Sequence, residues 1–193
     1  MKCLVVLAHP LNNSLSCHLA EETIKHMENK GYQVIIKDLY KENFNPVLTK
    51  EERNSYYEKR FDLSKLKDDI IQLQEAQSLV LIFPTWWFSF PAILKGWFDR
   101  VWAPGYAYNH ASDLGAITPC LLNLKEVKVV TTLGAPWWVD FFVLRKPVNK
   151  VLKFALLGAC TKNCKFQMLS LYNSESLTKE KVNNFVKKIK ITF

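Results

Sequence analysis

The sequence lacks several short motifs that would indicate a particular chemistry directly. It has no GxGxxG turn of the dinucleotide-binding type and no GxxxxGK(S/T) phosphate loop. It has no serine in a nucleophile elbow and no pair of carboxylates at a plausible site. These absences argue against a Rossmann-type fingerprint, a P-loop protein and a serine hydrolase.

Paired cysteines are also missing. The cysteine spacing contains no CxxC pair, and Cys160 and Cys164 stand four positions apart without a second metal-like pair, so a zinc site is disfavoured. The number of cysteines is odd and no signal peptide is recognised, which leads us to expect reduced thiols and a cytoplasmic protein. The five cysteines are Cys3, Cys17, Cys120, Cys160 and Cys164.

Neither a membrane span nor a nucleic-acid partner is predicted. Residues 76–94 carry no charge, but Pro84 and Pro91 interrupt them, so we expect a buried strand, a loop and the start of a helix. The formal net charge is +8, with lysines and arginines spread along the chain. The densest runs, at 59–67 and 187–190, lie in helical patterns and are interpreted as solvated faces. A positive balance also attracts anionic cofactors.

What the sequence does contain is an alternation of strands and helices. Ser14 and Thr178 are predicted N-caps, and Gly31 is predicted to end the first helix. The alternation predicts a doubly wound α/β fold with one domain over residues 1–193. One sequence does not determine the strand order, and 2-1-3-4-5 is the order expected for this pattern. Strands are expected at 2–8, 33–39, 78–83, 127–133 and 165–172, helices at 15–30, 65–77, 91–102, 143–157 and 178–190, a long surface connection at 40–64 and an irregular segment at 103–124.

Three segments follow the first, third and fourth strands, whose carboxyl ends meet at one edge of such a sheet. Residues 9–16 are rich in small polar side chains and open a helix, which favours a phosphate, although an ordinary N-cap loop explains them equally. Residues 84–91 bring aromatic rings that suit a flat conjugated ligand, or alternatively a plug for the core. Residues 131–138 combine hydroxyls, a glycine and two tryptophans, for which local packing is the alternative. Together the segments suit a flavin better than a nucleoside triphosphate.

A more specific pattern lies around the third strand. Phe83-Pro84, Trp87-Phe88 and the run at 91–101 (PAILKGWFDRV) resemble the NAD(P)H:quinone oxidoreductase (DT-diaphorase) family. The turn at 8–10, the stretch at 38–46 and the Thr131-Thr132-x-Gly134 loop match as well, and Trp137-Trp138 resembles a bacterial subgroup. The resemblance implies a flavodoxin-like three-layer α/β/α sandwich with a five-stranded parallel sheet.

The resemblance also implies an activity. It implies a flavin, either FAD or FMN, that takes two electrons from NAD(P)H and passes them by a ping-pong route to a quinone or similar small acceptor. It further implies a homodimer with the substrate pocket at its interface, lined by Tyr108. Tyr108 and His110 are the candidates for stabilising reduced flavin, and Trp137 and Trp138 are further candidates for contacting the substrate. The candidate cofactor-binding residues are His9, Ser14, Leu15, Ser16, Pro84, Thr85, Trp86, Trp87, Phe88, Thr131, Thr132, Leu133 and Gly134.

The sequence departs from that family in four respects, and other functions share its pattern. His110 and Val139 stand where better-known members have tyrosines, Leu133-Gly134 replaces a double glycine, and no histidine stands near Val139, where those members have one. A flavodoxin-style one-electron carrier is disfavoured, because such carriers are usually acidic and this chain is at +8. A flavin-binding ancillary subunit that docks on a transporter remains an alternative, as does a nitro- or azo-reductase, which differs only in the acceptor.

Overall fold

A five-stranded parallel sheet forms the centre of the computed structural model, which describes residues 1–57, 61, 65–111 and 115–193. The strands lie in the order β2-β1-β3-β6-β7, which is the expected 2-1-3-4-5 order of the main sheet. A two-stranded antiparallel hairpin, β4 with β5, lies outside this sheet. The strands are β1 (Lys2–Leu7), β2 (Gln33–Asp38), β3 (Ser78–Pro84), β4 (Tyr108–Asn109), β5 (Thr118–Pro119), β6 (Glu126–Thr132) and β7 (Lys165–Leu171).

Helices cover both faces of the sheet, so the architecture is the flavodoxin-like three-layer sandwich. Ser14 caps α1 and Thr178 caps α7 by accepting backbone N–H bonds, and Gly31, with a φ of 81°, follows the end of α1. The helices are α1 (Leu15–Asn29), α2 (Lys50–Asn54), α3 (Lys67–Glu75), α4 (Ala92–Val101), α5 (Pro147–Lys150), α6 (Gly158–Cys160) and α7 (Lys179–Thr192), with a 3-10 turn at Ser55–Tyr57 and π-helical stretches at Val139–Val143 and Val151–Leu157.

Alternation along the buried strands divides the core into two parts. Leu4 and Val6 of β1 pack on the side of α3 and α4, and Val5 of the same strand packs on the side of α1 and α7. The central strand β3 is buried at all seven positions, as expected of a strand covered on both faces. Among the described residues, no helix is long and apolar enough to cross a bilayer.

The connections differ most from expectation. The helix predicted at 143–157 begins at Pro147, because Arg145 and Lys146 adopt left-handed backbone angles and the proline fixes the first turn. Residues 40–64, expected to be a long connection, contain α2 and the 3-10 turn, while 58–60 and 62–64 lie outside the described residues. The segment expected to be irregular at 103–124 carries the β4–β5 hairpin, and its residues 112–114 are also outside the description.

Candidate functional site

The loops that follow β1, β3 and β6 meet at the carboxyl edge of the sheet. The Thr85 N–H donates to the Thr132 carbonyl at 2.8 Å, and the hydroxyls of Thr85 and Thr131 are 2.6 Å apart. The His9 ring lies 6.4 Å from the Trp86 ring, measured between centroids. The three segments that the sequence marked as candidates therefore form one continuous surface.

The first loop presents the amino terminus of α1. The Ser14 hydroxyl accepts the Cys17 N–H at 3.2 Å, and the Ser16 side chain is buried, so these two serines act mainly within the protein. The N–H groups in the first turn of a helix have no partner within the helix itself. The Leu11 N–H donates to His9 Nδ1 at 3.0 Å, which places the proton of neutral His9 on Nε2. Partial burial lowers the pKa of His9, so the ring is neutral at pH 7.

The second loop turns sharply between Trp86 and Ser89, which exchange backbone hydrogen bonds of 3.2 and 2.9 Å. Trp87 and Phe88 at its tip have φ values of 50° and 55°, in the left-handed region. The Trp86 side chain is 42% exposed and that of Trp87 98% exposed, so these rings do not plug the core. The exposed ring surfaces of Trp86 and Trp87 are available to a ligand at the sheet edge.

The third loop is more enclosed than the other two. Thr131, Thr132 and Leu133 are buried, and the Thr131 hydroxyl contacts that of Thr85, so Gly134 is the exposed residue among 131–134. The loop is fixed by the Ser174 N–H, which donates to the Leu133 carbonyl at 2.9 Å. A Cβ at Gly134 would lie 3.1 Å from a Glu175 carboxylate oxygen. Sequence reasoning missed this carboxylate, because nothing in the local pattern connects it to the loop.

Tyr108 and His110 line a separate cleft of about 530 Å³. The His110 ring stands edge-on to Tyr108 at 5.3 Å and stacks on Tyr57 at 5.1 Å with an interplanar angle of 27°. Burial raises the pKa of Tyr108, which keeps its phenol protonated as a donor. Most of the remaining lining is apolar and comes from α4 and the helical segment 151–160, with Lys95 and Asp99 of α4 as charged members, so the cleft suits a flat aromatic molecule.

A further part of the cleft lining comes from residues 53–57, in the 40–64 connection, where the sequence predicts no site residue. The Arg53 guanidinium lies 5.2 Å from the centre of the Tyr56 ring and 5.1 Å from that of Tyr57. Glu52, adjacent in sequence, is held by Arg100 of α4 through a bond of 2.9 Å from Nε to Oε2 and a second bond from the Nη2 group. Thr49 and Glu52 form a capping box, a sequence pattern from which the start of α2 could have been predicted.

Trp137 and Trp138 are placed elsewhere. They are 54% and 50% exposed, and Trp137 clusters with the rings of Phe141 and Phe142. Within the part of the chain that the structure describes, they are not among the side chains that line the cleft of Tyr108. Val139, at the position of the family tyrosine, begins the π-helical turn at Val139–Val143. No cluster of three or more possible metal ligands occurs in the described residues.

Comparison with known proteins agrees with this architecture. The family model described as flavodoxin-like fold matches residues 1–181. An uncharacterised NAD(P)H oxidoreductase of Escherichia coli, YcaK, is 40% identical over 112 residues, which are 57% of each chain. NAD(P)H dehydrogenase (quinone) 1 of Rattus norvegicus is 31% identical over 186 residues, covering 87% of this chain and 66% of that protein.

Solved structures extend the likeness over the whole chain, although this chain spans only 57% and 66% of the two relatives just named. The NAD(P)H:quinone oxidoreductase of Methanothermobacter marburgensis has a TM-score of 0.81 and 25% identity, covering 99% of this chain and 94% of that chain. The family model covers residues 1–181 and the strand order is that of the same fold, and the chain therefore belongs to the family with the flavodoxin-like fold.

Proposed function

We propose that this protein is a flavin-dependent NAD(P)H oxidoreductase that transfers two electrons to a quinone or a similar small acceptor. The observation that carries the proposal is the convergence of the β1, β3 and β6 loops on one edge of the sheet, beside an apolar cleft. The names of the relatives in Escherichia coli and Rattus norvegicus support the choice of NAD(P)H as donor, and the latter supports a quinone as acceptor.

The described residues fit a flavin phosphate and ring system. The phosphate would bind at the amino terminus of α1, where free N–H groups and the helix dipole favour an anion. His9 would donate from Nε2 as a neutral group, because its Nδ1 is engaged by Leu11. The exposed rings of Trp86 and Trp87 would form the apolar wall, and the backbone N–H groups of Trp87 and Phe88 at the tip of the turn would reach heteroatoms of the flavin.

The remaining candidates would act through backbone or by positioning. Thr131 holds Thr85 through their hydroxyls, which fixes the β3 loop against the β6 loop. Gly134 is the exposed member of its loop, so contacts there would come from its backbone. Pro84, Leu15, Ser16, Phe88, Thr132 and Leu133 would shape the site without a side-chain hydrogen bond to the ligand.

When bound, the flavin supplies the two-electron redox chemistry, and the protein supplies orientation and electrostatics. The cleft would hold the nicotinamide and the acceptor in turn, as a ping-pong route requires. Tyr108, protonated because burial raises its pKa, and His110 would donate hydrogen bonds to oxygen atoms on a bound ring. Arg53 would add positive charge at the same wall. We further propose a single domain over the chain, a homodimeric assembly and a cytoplasmic location.

The test is to load the purified protein with FMN or FAD and add NADH or NADPH without oxygen. Bleaching of the visible flavin absorbance, followed by recovery on adding a quinone, is the expected result. His9→Ala combined with Trp86→Ala should weaken flavin binding, whereas Ile191→Ser, an exposed apolar residue of α7, should not. A protein that binds neither flavin, or whose bound flavin is not bleached by either nucleotide, would contradict the proposal.

The acceptor is settled by comparing steady-state rates for a quinone, a nitroaromatic and an azo dye at matched concentrations. A cleft lined by Tyr57, Tyr108 and His110 accepts flat rings in general, so the ratios decide between a quinone reductase and a nitro- or azo-reductase. His110→Tyr, which restores the tyrosine of the better-known members, should shift these ratios if His110 contacts the acceptor.

A further inference from the structure

Residues 137–144 expose an unusual concentration of large apolar side chains. Six of them, here called the aromatic strip, are between 39% and 64% exposed. The rings of Phe141 and Phe142 lie 5.0 Å apart, and both lie within 6.4 Å of the Trp137 ring, so the rings form one cluster. Scattered exposed apolar residues need no explanation, but a contiguous patch marks an interaction surface. The strip consists of Trp137, Trp138, Phe141, Phe142, Val143 and Leu144.

Basic residues follow the aromatic strip without exposed acidic ones among them. Arg145, Lys146, Lys150 and Lys153 lie in the next nine positions, and Lys146 Nζ stands 4.6 Å from the centre of the Phe141 ring. The only acid between residues 137 and 160 is Asp140, which is buried and accepts the Tyr172 hydroxyl at 2.8 Å. The strip and its surroundings therefore form an apolar surface with a basic border.

We propose that the aromatic strip docks this protein on the surface of an anionic lipid bilayer. Trp and Phe rings settle at the level of the lipid headgroups, and bordering Lys and Arg side chains bind anionic headgroups. A second copy of this chain fits the strip less well, since a two-fold contact centred on it would bring the same four cations together. A nucleic acid would match the charge, and the four rings could stack on bases, but the exposed aliphatic side chains of Val143 and Leu144 favour an apolar phase such as a bilayer.

The aromatic strip lies next to the candidate flavin loops, so docking on a bilayer would bring these loops close to the membrane. Asp140 and Lys146 line a cavity of about 180 Å³ together with Thr85 and Leu133 of the candidate flavin loops. Val151, on the helical segment that follows, lines the cleft of Tyr108. A bilayer bound to the strip would therefore lie close to both the candidate flavin loops and the cleft of Tyr108. Lipid-soluble acceptors concentrate in a bilayer, so docking would bring them near the cleft. The docking itself does not depend on the redox chemistry.

The test is sedimentation of the flavin-loaded protein with vesicles of phosphatidylcholine and phosphatidylglycerol in a two-to-one ratio, and with phosphatidylcholine alone. Binding to the anionic vesicles, reduced at high salt and accompanied by a blue shift of tryptophan emission, is expected. Lys150→Gln with Lys153→Gln should weaken partitioning roughly 25-fold, since each basic residue near an anionic surface contributes about fivefold. Phe142→Ser with Val143→Ser should weaken it about tenfold or more.

Matched controls come from α7, which lies outside the strip. Lys181→Gln with Lys187→Gln removes the same charge, and Ile191→Ser removes an apolar side chain that is 86% exposed; both should leave partitioning nearly unchanged. The proposal is overturned if the protein ignores anionic vesicles, or if the α7 variants weaken binding as much as the strip variants. It is also overturned if Phe142→Ser with Val143→Ser converts a dimer to a monomer in sedimentation velocity, or if RNA binds and vesicles do not.

Discussion

The buried ion pair between Glu52 and Arg100 joins α2 to α4 beside the cleft of Tyr108, and its contribution to stability can be tested directly. The side chains are only 3% and 4% exposed, and Arg100 also donates to the Asn45 carbonyl. Glu52→Gln retains the shape and the capping interaction with Thr49, because glutamine also serves in a capping box. It removes the negative charge, however, and leaves the Arg100 guanidinium buried without a counter-ion.

The magnitude follows from that uncompensated charge. Removing one partner of a buried ion pair costs about 3–5 kcal/mol in the free energy of unfolding. For a domain of this size, that loss lowers the melting temperature by roughly 6–20 °C, at about 2–4 °C per kcal/mol. The same Glu→Gln change at Glu75, which pairs with Lys2 at 2.7 Å on the surface, should cost at most about 1 kcal/mol.

The stabilisation that the Glu52–Arg100 pair contributes should decrease as the pH is lowered. Burial would raise the pKa of Glu52, but hydrogen bonds from Arg100 and from the Thr49 N–H hold it below its usual value. The stabilisation is therefore complete above the unfolded carboxyl pKa of about 4.3 and is lost as the pH falls through the lower folded value. The measurement is the free energy of unfolding in urea, at neutral pH and below about pH 4, for the wild type, Glu52→Gln and Glu75→Gln. Equal costs for the two variants at neutral pH would refute the reasoning.

Two further pairs of substitutions and one labelling experiment have expected outcomes that follow from local contacts. Gly96→Ala should cost about 1–3 kcal/mol or more in unfolding free energy, because its Cβ would lie 2.2 Å from the Pro46 carbonyl oxygen, whereas Gly158→Ala, 3.6 Å from its nearest neighbour, should be neutral or stabilising. Ser14→Ala and Thr178→Ala should each cost about 1 kcal/mol as lost N-caps, but only Ser14→Ala should also weaken flavin binding in a titration. Burial raises the pKa of Cys160 to about 12, so iodoacetamide at mildly alkaline pH should label it only after unfolding, as mass mapping would show; rapid labelling of the folded protein would contradict this.

The strands of the sheet were predictable because their information is local. Each buried strand appears in the sequence as a continuous apolar run, as residues 78–83 do. The strand order is not local information, and it was expected only because 2-1-3-4-5 is common for alternating strands and helices. The Ser14 and Thr178 caps were predicted for the same reason, since an N-cap bond spans only three residues. The helix start at Pro147 was missed because it depends on the left-handed angles of Arg145 and Lys146, which neither residue type favours.

The site was predictable where it follows strand ends and was not where it depends on distant contacts. The loops after β1, β3 and β6 could be assigned to one edge from topology alone. Arg53 and Tyr57 line the cleft next to Glu52, which pairs with Arg100, 48 positions away in sequence. Glu175 reaches Gly134 only through the pairing of β7 with β6. Contacts of this kind leave no periodic trace in the sequence.

Four residues with left-handed backbone angles, Trp87, Phe88, Arg145 and Lys146, lie at the two proposed surfaces. A left-handed backbone costs a residue with a side chain about 1–3 kcal/mol, so it persists only where the surroundings impose it. Trp87 and Phe88 are held by the reciprocal bonds between Trp86 and Ser89, and the Lys146 N–H is held by the Asp140 carbonyl at 2.7 Å. Glycine would adopt these angles without strain, but it would remove a ring from the candidate flavin edge or a cation from the border of the aromatic strip. At these positions, the binding of a flavin or of a bilayer by the side chain is therefore expected to offset the strain of the backbone.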